Sequence, residues 1–95
     1  MSSATVTPTK PETSVKALKP WKVIVLNDDF NTFQHVANCL VKYIPHMHPD
    51  RAWKLTQQVH SEGRAIVWVG PLEQAELYHE QLSREGLTMA PLEQA

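Results

Sequence analysis

Two runs of apolar, mostly β-branched residues predict β-strands. The first, Trp21–Leu26, ends in four consecutive apolar residues, and this pattern favours a strand buried on both faces. The second, Ala65–Val69, follows Gly63, which can adopt a positive φ, and is apolar throughout, so it is expected to be central. A weaker run, Leu87–Leu92, predicts a third strand. Pro91 confines that strand to an edge or a strand end, because proline has no N–H to donate.

Between the strands, apolar residues recur at the spacing of an amphipathic helix. The predicted helices span residues 32–44, 49–60 and 71–86, with Thr32 and His48 as the N-caps of the first two. The element order is therefore β-α-α-β-α-β. We predict an α+β fold of two layers, in which a three-stranded sheet is covered on one side by three helices.

The first twenty residues differ from the rest of the chain. Residues 1–20 are rich in Ser, Thr, Pro and Lys and offer little to bury, so they are expected to form a disordered extension. Residues 21–95 are expected to form one core domain. The extension is interpreted either as a passive tail or as a segment offered to a partner.

Composition narrows the function classes. The 95 residues are 42% hydrophobic and 20% charged with a net charge of −1, and no long basic run predicts nucleic-acid binding. No apolar run is long enough to span a membrane, and the N-terminus lacks the apolar core of a signal peptide. A single cysteine, Cys39, excludes an internal disulfide. We expect a cytoplasmic protein that binds neither nucleic acid nor membrane.

Polar residues follow the first strand directly, as Asn27, Asp28 and Asp29. Such residues form turns and helix caps, which is one explanation of their position. A magnesium site is a second, although the chain is too short for the doubly wound fold that usually carries it. A binding site for an amine cation is the third, because carboxylate and amide oxygens accept hydrogen bonds from ammonium groups.

Five histidines raise the question of a metal site. His46 and His48 lie two positions apart in a link, and no His-Glu-x-x-His or paired-cysteine motif accompanies them. We therefore expect no metal and no cofactor. Cys39 lies beside the apolar stripe of the first helix, where a small buried thiol is favoured over a catalytic Cys-His pair.

His60, at the end of the second helix, favours the amine-binding alternative. The run Val-Ile-Val-Leu-Asn-Asp-Asp-Phe at residues 23–30, followed about thirty residues later by Val59-His60-x-x-Gly63-Arg64-Ala65, resembles the ClpS family. ClpS proteins are adaptors that deliver N-degron substrates to a Clp AAA+ protease. The resemblance extends from about Trp21 to the C-terminus, and its strength lies in the two motifs occurring together.

The resemblance implies a role for each matching residue. Asn27, Asp29 and His60 would hold the free α-amino group and first peptide unit of a substrate, and Asp28 would help hold its backbone. A pocket between the first two helices would take a bulky apolar first residue such as Leu or Phe, with Tyr and Trp as further candidates. Its lining would comprise Phe33, Val36, Thr56, Val59 and Met89.

The resemblance also implies a second surface and two departures. Glu73, on the third helix, would contact the N-terminal domain of a ClpA- or ClpC-type ATPase, although the lysine that usually follows is absent. Phe33 and Thr56 stand where many members carry Met, so the pocket is expected to be altered. We predict that Leu and Phe bind.

Three functions are compared. The first is an N-degron adaptor without catalysis. The second is a small hydrolase that uses the acidic pair and His60, but no nucleophile motif or metal set supports it. The third is a regulatory adaptor that docks the ATPase and changes its substrate choice without binding N-degrons.

Overall fold

The computed structural model describes residues 19–95. It contains strand β1 (Trp21–Leu26), helices α1 (Phe33–Tyr43) and α2 (Pro49–Glu62), strand β2 (Arg64–Gly70), helix α3 (Leu72–Arg84) and the short strand β3 (Glu93–Gln94). The predicted order and the α+β class are confirmed. The predicted extension, residues 1–20, lies almost wholly outside the described residues.

The helix ends follow from local chemistry. The Thr32 side chain accepts a hydrogen bond of 3.0 Å from the backbone N–H of His35 and so caps α1 as predicted. Helix α2 begins at Pro49 and runs two residues beyond the predicted end at His60. It stops at Gly63, whose φ of +89° lies in the left-handed region that glycine adopts without strain.

All three helices pack on one face of the sheet. Val23 and Val25 of β1 and Ala65 and Val67 of β2 contribute to this layer, in keeping with the alternation of side chains along a strand. The core residues from the strands and helices include Val23, Val25, Val36, Ala37, Leu40, Val59, Ala65, Val67, Ala75 and Leu82. This core holds β1 rigidly behind the Asn27–Asp29 loop.

The central strand is β1, not β2. The strand order is β2-β1-β3 and both pairings are antiparallel, so the prediction that Ala65–Val69 is central was wrong. Ile66 and Val69 are 40% and 47% exposed on an edge strand. Continuous apolar character did not distinguish a strand buried on both faces from one that leaves apolar side chains in solvent.

The third strand is shorter and later than predicted. It spans Glu93–Gln94 rather than Leu87–Leu92. The preceding segment still follows β1 through backbone hydrogen bonds, from Leu26 N–H to the Thr88 carbonyl and from Ala90 N–H to the Ile24 carbonyl. Regular pairing resumes only beyond Pro91, as its missing N–H requires.

No helix within residues 19–95 has the length and apolar character to cross a membrane.

Candidate functional site

The loop between β1 and α1 is organised by the carboxylate of Asp28. Its Oδ1 accepts hydrogen bonds of 2.8 Å from the backbone N–H groups of Phe30 and Asn31. Its Oδ2 accepts from the Asn31 amide at 2.7 Å and from the Thr88 hydroxyl at 2.8 Å. These bonds, above all the one from the Asn31 N–H, hold the pKa of the Asp28 carboxyl far below its ordinary value. Asp28 is therefore ionised at neutral pH and fixes the loop.

Two neighbouring segments hold the same loop from outside. The backbone N–H of Asn27 donates to the Gly63 carbonyl at 3.0 Å, which ties the loop to the turn before β2. The Asn31 amide donates to the Gly86 carbonyl at 2.9 Å, which ties it to the segment after α3. The loop is thus fixed from both sides before any ligand arrives.

Unlike the Asp28 carboxylate, the polar side chains near it face solvent. Asn27, Asp29 and His60 are exposed, and no hydrogen bond within residues 19–95 involves their side chains. Asp29 follows Asp28 directly, yet one carboxylate is occupied by its own chain and the other faces solvent. The available acceptors of the loop are therefore those of Asn27 and Asp29.

A cavity of about 250 Å³ opens beside these acceptors, between the loop and helices α1 and α2. Its lining combines the polar residues of the loop with apolar residues of the two helices. The lining residues are Leu26, Asn27, Asp28, Asp29, Asn31, Phe33, Val36, Thr56, Val59 and His60. The structure thus brings together all four residues predicted to bind the amino group and four of the five predicted for the pocket.

Met89 is the predicted pocket residue that does not line this cavity. It lies on the far side of β1 from β2, in a bridge with Val25, and packs against the core. Leu26 and Asn31 line the cavity although they were not predicted. Leu26 ends the apolar run and Asn31 lies two residues after the acidic pair, so both are close in sequence to the residues that were predicted.

An aromatic cluster forms one wall of the cavity. Phe33, in the first turn of α1, meets the ring of His60 edge to face with centroids 5.0 Å apart. It meets Trp53 in the same way at 5.6 Å. Because His60 and Trp53 both belong to α2, Phe33 bridges the two helices and packs against the imidazole at the cavity mouth. Trp53 itself is 40% exposed.

The Thr56 side chain makes the cavity wall less polar than the presence of a hydroxyl group suggests. Its side chain is only 3% exposed, and its hydroxyl donates a hydrogen bond of 2.8 Å to the Ala52 carbonyl within α2. The hydroxyl proton is therefore used by the helix itself and is not offered to a ligand.

Glu73 lies apart from this cavity. It occupies the exposed first turn of α3 and lines a separate open depression of about 390 Å³ with Pro71, Leu72 and Glu76. None of these four residues lines the cavity beside the Asn27–Asp29 loop.

Comparisons with known proteins agree with the two motifs. Residues 16–93 match the family model described as ATP-dependent Clp protease adaptor protein ClpS. An ATP-dependent Clp protease adapter protein ClpS of Synechocystis sp. is 68% identical over 95 residues, covering 99% of this chain and 97% of the relative. A Nostoc sp. protein of the same description is 70% identical over 97 residues, with all of both chains covered.

A solved structure provides the corresponding comparison of folds. Agrobacterium tumefaciens ClpS2, bound to L-phenylalaninamide, superposes with a TM-score of 0.72 and 26% identity, covering 81% of this chain and 98% of that one. Fold, motifs and relatives agree, and the chain belongs to the ClpS family of ATP-dependent Clp protease adaptors.

Proposed function

We propose that this protein binds N-degron substrates through their free α-amino group and bulky apolar first residue and delivers them to a Clp AAA+ protease. One observation carries the proposal: polar acceptors that no hydrogen bond within residues 19–95 uses stand at the mouth of a cavity whose inner wall is apolar. A free N-terminus with a large apolar side chain has the same two parts, a cation and a hydrophobic group, attached to one carbon atom.

The polar residues at the cavity mouth suit an ammonium group. An α-amino group has a pKa of about 7.7–8.0, so most N-termini are cationic at neutral pH. Asn27, Asp29 and His60 provide an amide oxygen, a carboxylate and an imidazole as acceptors for its N–H groups. Charge-assisted hydrogen bonds of this kind contribute roughly 1.5–3 kcal/mol each. Acetylation removes the charge and leaves the acceptors unpaired.

Asp28 has a different role in this proposal. A carboxylate has about four lone-pair sites, and the Asp28 carboxylate accepts four hydrogen bonds from its own chain. It therefore positions Asn27 and Asp29 and adds negative charge near the ammonium group, rather than accepting a hydrogen bond from the substrate backbone.

The apolar inner wall of the cavity suits the side chains of Leu and Phe. Val36, Val59 and the buried Thr56 form the inner wall, and burial of such a first side chain contributes roughly 1.5–3 kcal/mol. The phenylalanine amide bound by the Agrobacterium relative supports an aromatic first residue. Phe33 is packed against Trp53 and His60, so it yields less readily than a flexible Met to the larger Trp side chain.

Delivery requires a second contact. We assign it to α3, where Glu73 and Glu76 present negative charge to the N-terminal domain of a ClpA- or ClpC-type ATPase. Residues 1–20 would act as the segment that the ATPase engages. The proposed activity is binding and transfer in the cytoplasm, without catalysis or a cofactor.

The test is degradation in a reconstituted Clp system. Two reporters that differ only in their first residue, Leu or Ser, are followed with and without the adaptor. We expect the adaptor to accelerate degradation of the Leu reporter alone, and Glu73→Ala to reduce that acceleration without changing peptide binding. An adaptor that redirects the ATPase but treats both reporters equally would support the regulatory alternative and contradict the proposal.

A further inference from the structure

Three side chains with metal-binding atoms meet on the side of α1 that does not line the cavity. His35 and Cys39 are one helical turn apart, and Glu85 follows the end of α3. One imidazole nitrogen, the Cys39 sulfur and one Glu85 carboxylate oxygen all lie within 4.8 Å of one another. None of the three residues lines the cavity described above.

The His35 ring is oriented by a backbone contact. Its Nε2 lies 2.8 Å from the Glu85 carbonyl oxygen. Because a carbonyl only accepts hydrogen bonds, Nε2 carries the proton, and in the neutral ring Nδ1 holds the lone pair. Metal-bound histidines commonly donate their other N–H to a carbonyl or carboxylate in this way, which fixes the tautomer.

The other two ligands also have capacity. The hydrogen bond from the Tyr43 hydroxyl and the ion pair with Lys42 at 3.6 Å both involve Glu85 Oε2, and Oε1 accepts no hydrogen bond from residues 19–95. The bond from Tyr43 lowers the pKa of Glu85, so its carboxylate is ionised at neutral pH. Cys39 is 4% exposed, and burial followed by the charge of Glu85 raises the pKa of its thiol.

We propose that His35, Cys39 and Glu85 bind one zinc-class divalent cation, with water as a fourth ligand. Thiolate, imidazole and carboxylate together suit Zn²⁺ rather than Mg²⁺ or Ca²⁺, which prefer oxygen ligands. Zn–N and Zn–S bonds of about 2.0–2.3 Å place the two atoms about 3.5 Å apart in a tetrahedral site. The sulfur lies 4.0 Å from Nδ1 and 3.6 Å from Nε2, so on binding the His35 ring must turn to aim the Nδ1 lone pair at the ion, while Nδ1 and the sulfur approach by roughly half an ångström.

Such an ion would join α1 to the end of α3. Three costs oppose it: the His35 ring must turn against its contact with the Glu85 carbonyl, the Cys39 thiol must lose its proton on binding, and the Lys42 ammonium group lies near the same carboxylate. The sequence-based expectation of no metal was argued from His46 and His48, which are exposed in the link between α1 and α2. The four-residue spacing of His35 and Cys39 is visible in the sequence. Glu85 is distant in the sequence, and only the fold brings it close to them.

The test is titration of the reduced full chain with Co²⁺ and then Zn²⁺. We expect one equivalent of Co²⁺ to produce a thiolate-to-cobalt charge-transfer absorption, which one equivalent of Zn²⁺ removes. Cys39→Ser should abolish the absorption, and Cys39→Ser and Glu85→Gln should each weaken Zn²⁺ binding at least about tenfold. A His46→Gln/His48→Gln variant is the matched control and should bind as wild type does.

Absence of the charge-transfer absorption in the wild-type chain would overturn the proposal. So would Zn²⁺ binding that is lost in the His46/His48 control but kept in the Glu85→Gln variant. Glu85 lies in a partly exposed position outside the helices, so its variant tests the site even if Cys39→Ser disturbs the core.

Discussion

Asp28 and Thr88 lie sixty positions apart in the chain, and the Thr88 hydroxyl donates a hydrogen bond of 2.8 Å to the Asp28 carboxylate. This contact joins the loop after the first strand to the segment before the last one. Together with the other bonds to Asp28 it holds the loop in the form that leaves Asn27 and Asp29 facing solvent. The proposed binding site would therefore be preorganised by a residue that need not contact the ligand.

The adjacent carboxylates provide a matched pair of variants. Asp28→Asn loses the charge that supports four hydrogen bonds and places an amide opposite the Asn31 amide, so the free energy of unfolding should fall by about 1–2 kcal/mol. Asp29→Asn should leave stability nearly unchanged and weaken binding of a Leu-initiated peptide about tenfold or more. Denaturant unfolding and peptide anisotropy measure the two effects.

The opposite assignment would contradict this division of roles. If Asp29→Asn unfolded more easily and bound normally, the loop would be held by Asp29 and the role given to Asp28 would be wrong.

The pH dependence of stability follows from the same carboxylate. Because the pKa of Asp28 is lower in the folded state, its contribution is present above the unfolded pKa of about 3.9 and is lost as pH falls towards the folded value. The difference in unfolding free energy between wild type and Asp28→Asn should therefore be constant near neutrality and shrink below about pH 4. A difference that grows with acidification would reverse the sign and refute the explanation.

Phe33 is expected to restrict the first residue that the cavity accepts. Phe33→Met replaces a ring packed against Trp53 and His60 by a flexible side chain, so binding of Trp-initiated peptides should improve relative to Leu-initiated ones. Anisotropy titrations with peptides that differ only in the first residue measure this ratio. An unchanged ratio would show that Phe33 does not govern selectivity.

A substitution at Thr56 tests how polar the cavity wall is. Thr56→Val removes a hydroxyl whose proton is already donated to the Ala52 carbonyl, so affinity for a Leu-initiated peptide should stay within about twofold. Calorimetric titration provides the measurement, with thermal unfolding as a check on the core. A gain of tenfold or more would mean that the hydroxyl, despite this bond, is a polar feature of the empty pocket.

Local chemistry made much of the fold predictable. The Thr32 cap, Pro49 at the start of α2 and the turn at Gly63 act within a few residues, so the sequence reveals them directly. Strand order does not follow from such signals. Apolar character placed Ala65–Val69 at the centre of the sheet, whereas pairing placed it at an edge.

The candidate site was likewise only partly predictable from the sequence. Only the resemblance to the ClpS family grouped Asn27, Asp29 and His60 in the sequence, and in the structure all three line one cavity. The partner of Asp28 and the packing of Phe33 on Trp53 depend on contacts between distant parts of the chain, so no local pattern carries them. The position of Met89 likewise depends on a distant contact, the bridge with Val25 of β1.

The central claim is that Asn27, Asp29 and His60 recognise a free α-amino group beside an apolar cavity. The most direct measurement is the affinity of a Leu-initiated peptide and its N-acetylated twin for the wild-type chain and for His60→Ala. We predict that acetylation weakens binding to wild type by about a hundredfold or more, and that His60→Ala weakens binding of the free peptide about tenfold while remaining folded. Equal binding of the free and acetylated peptides to the wild-type chain would contradict the claim.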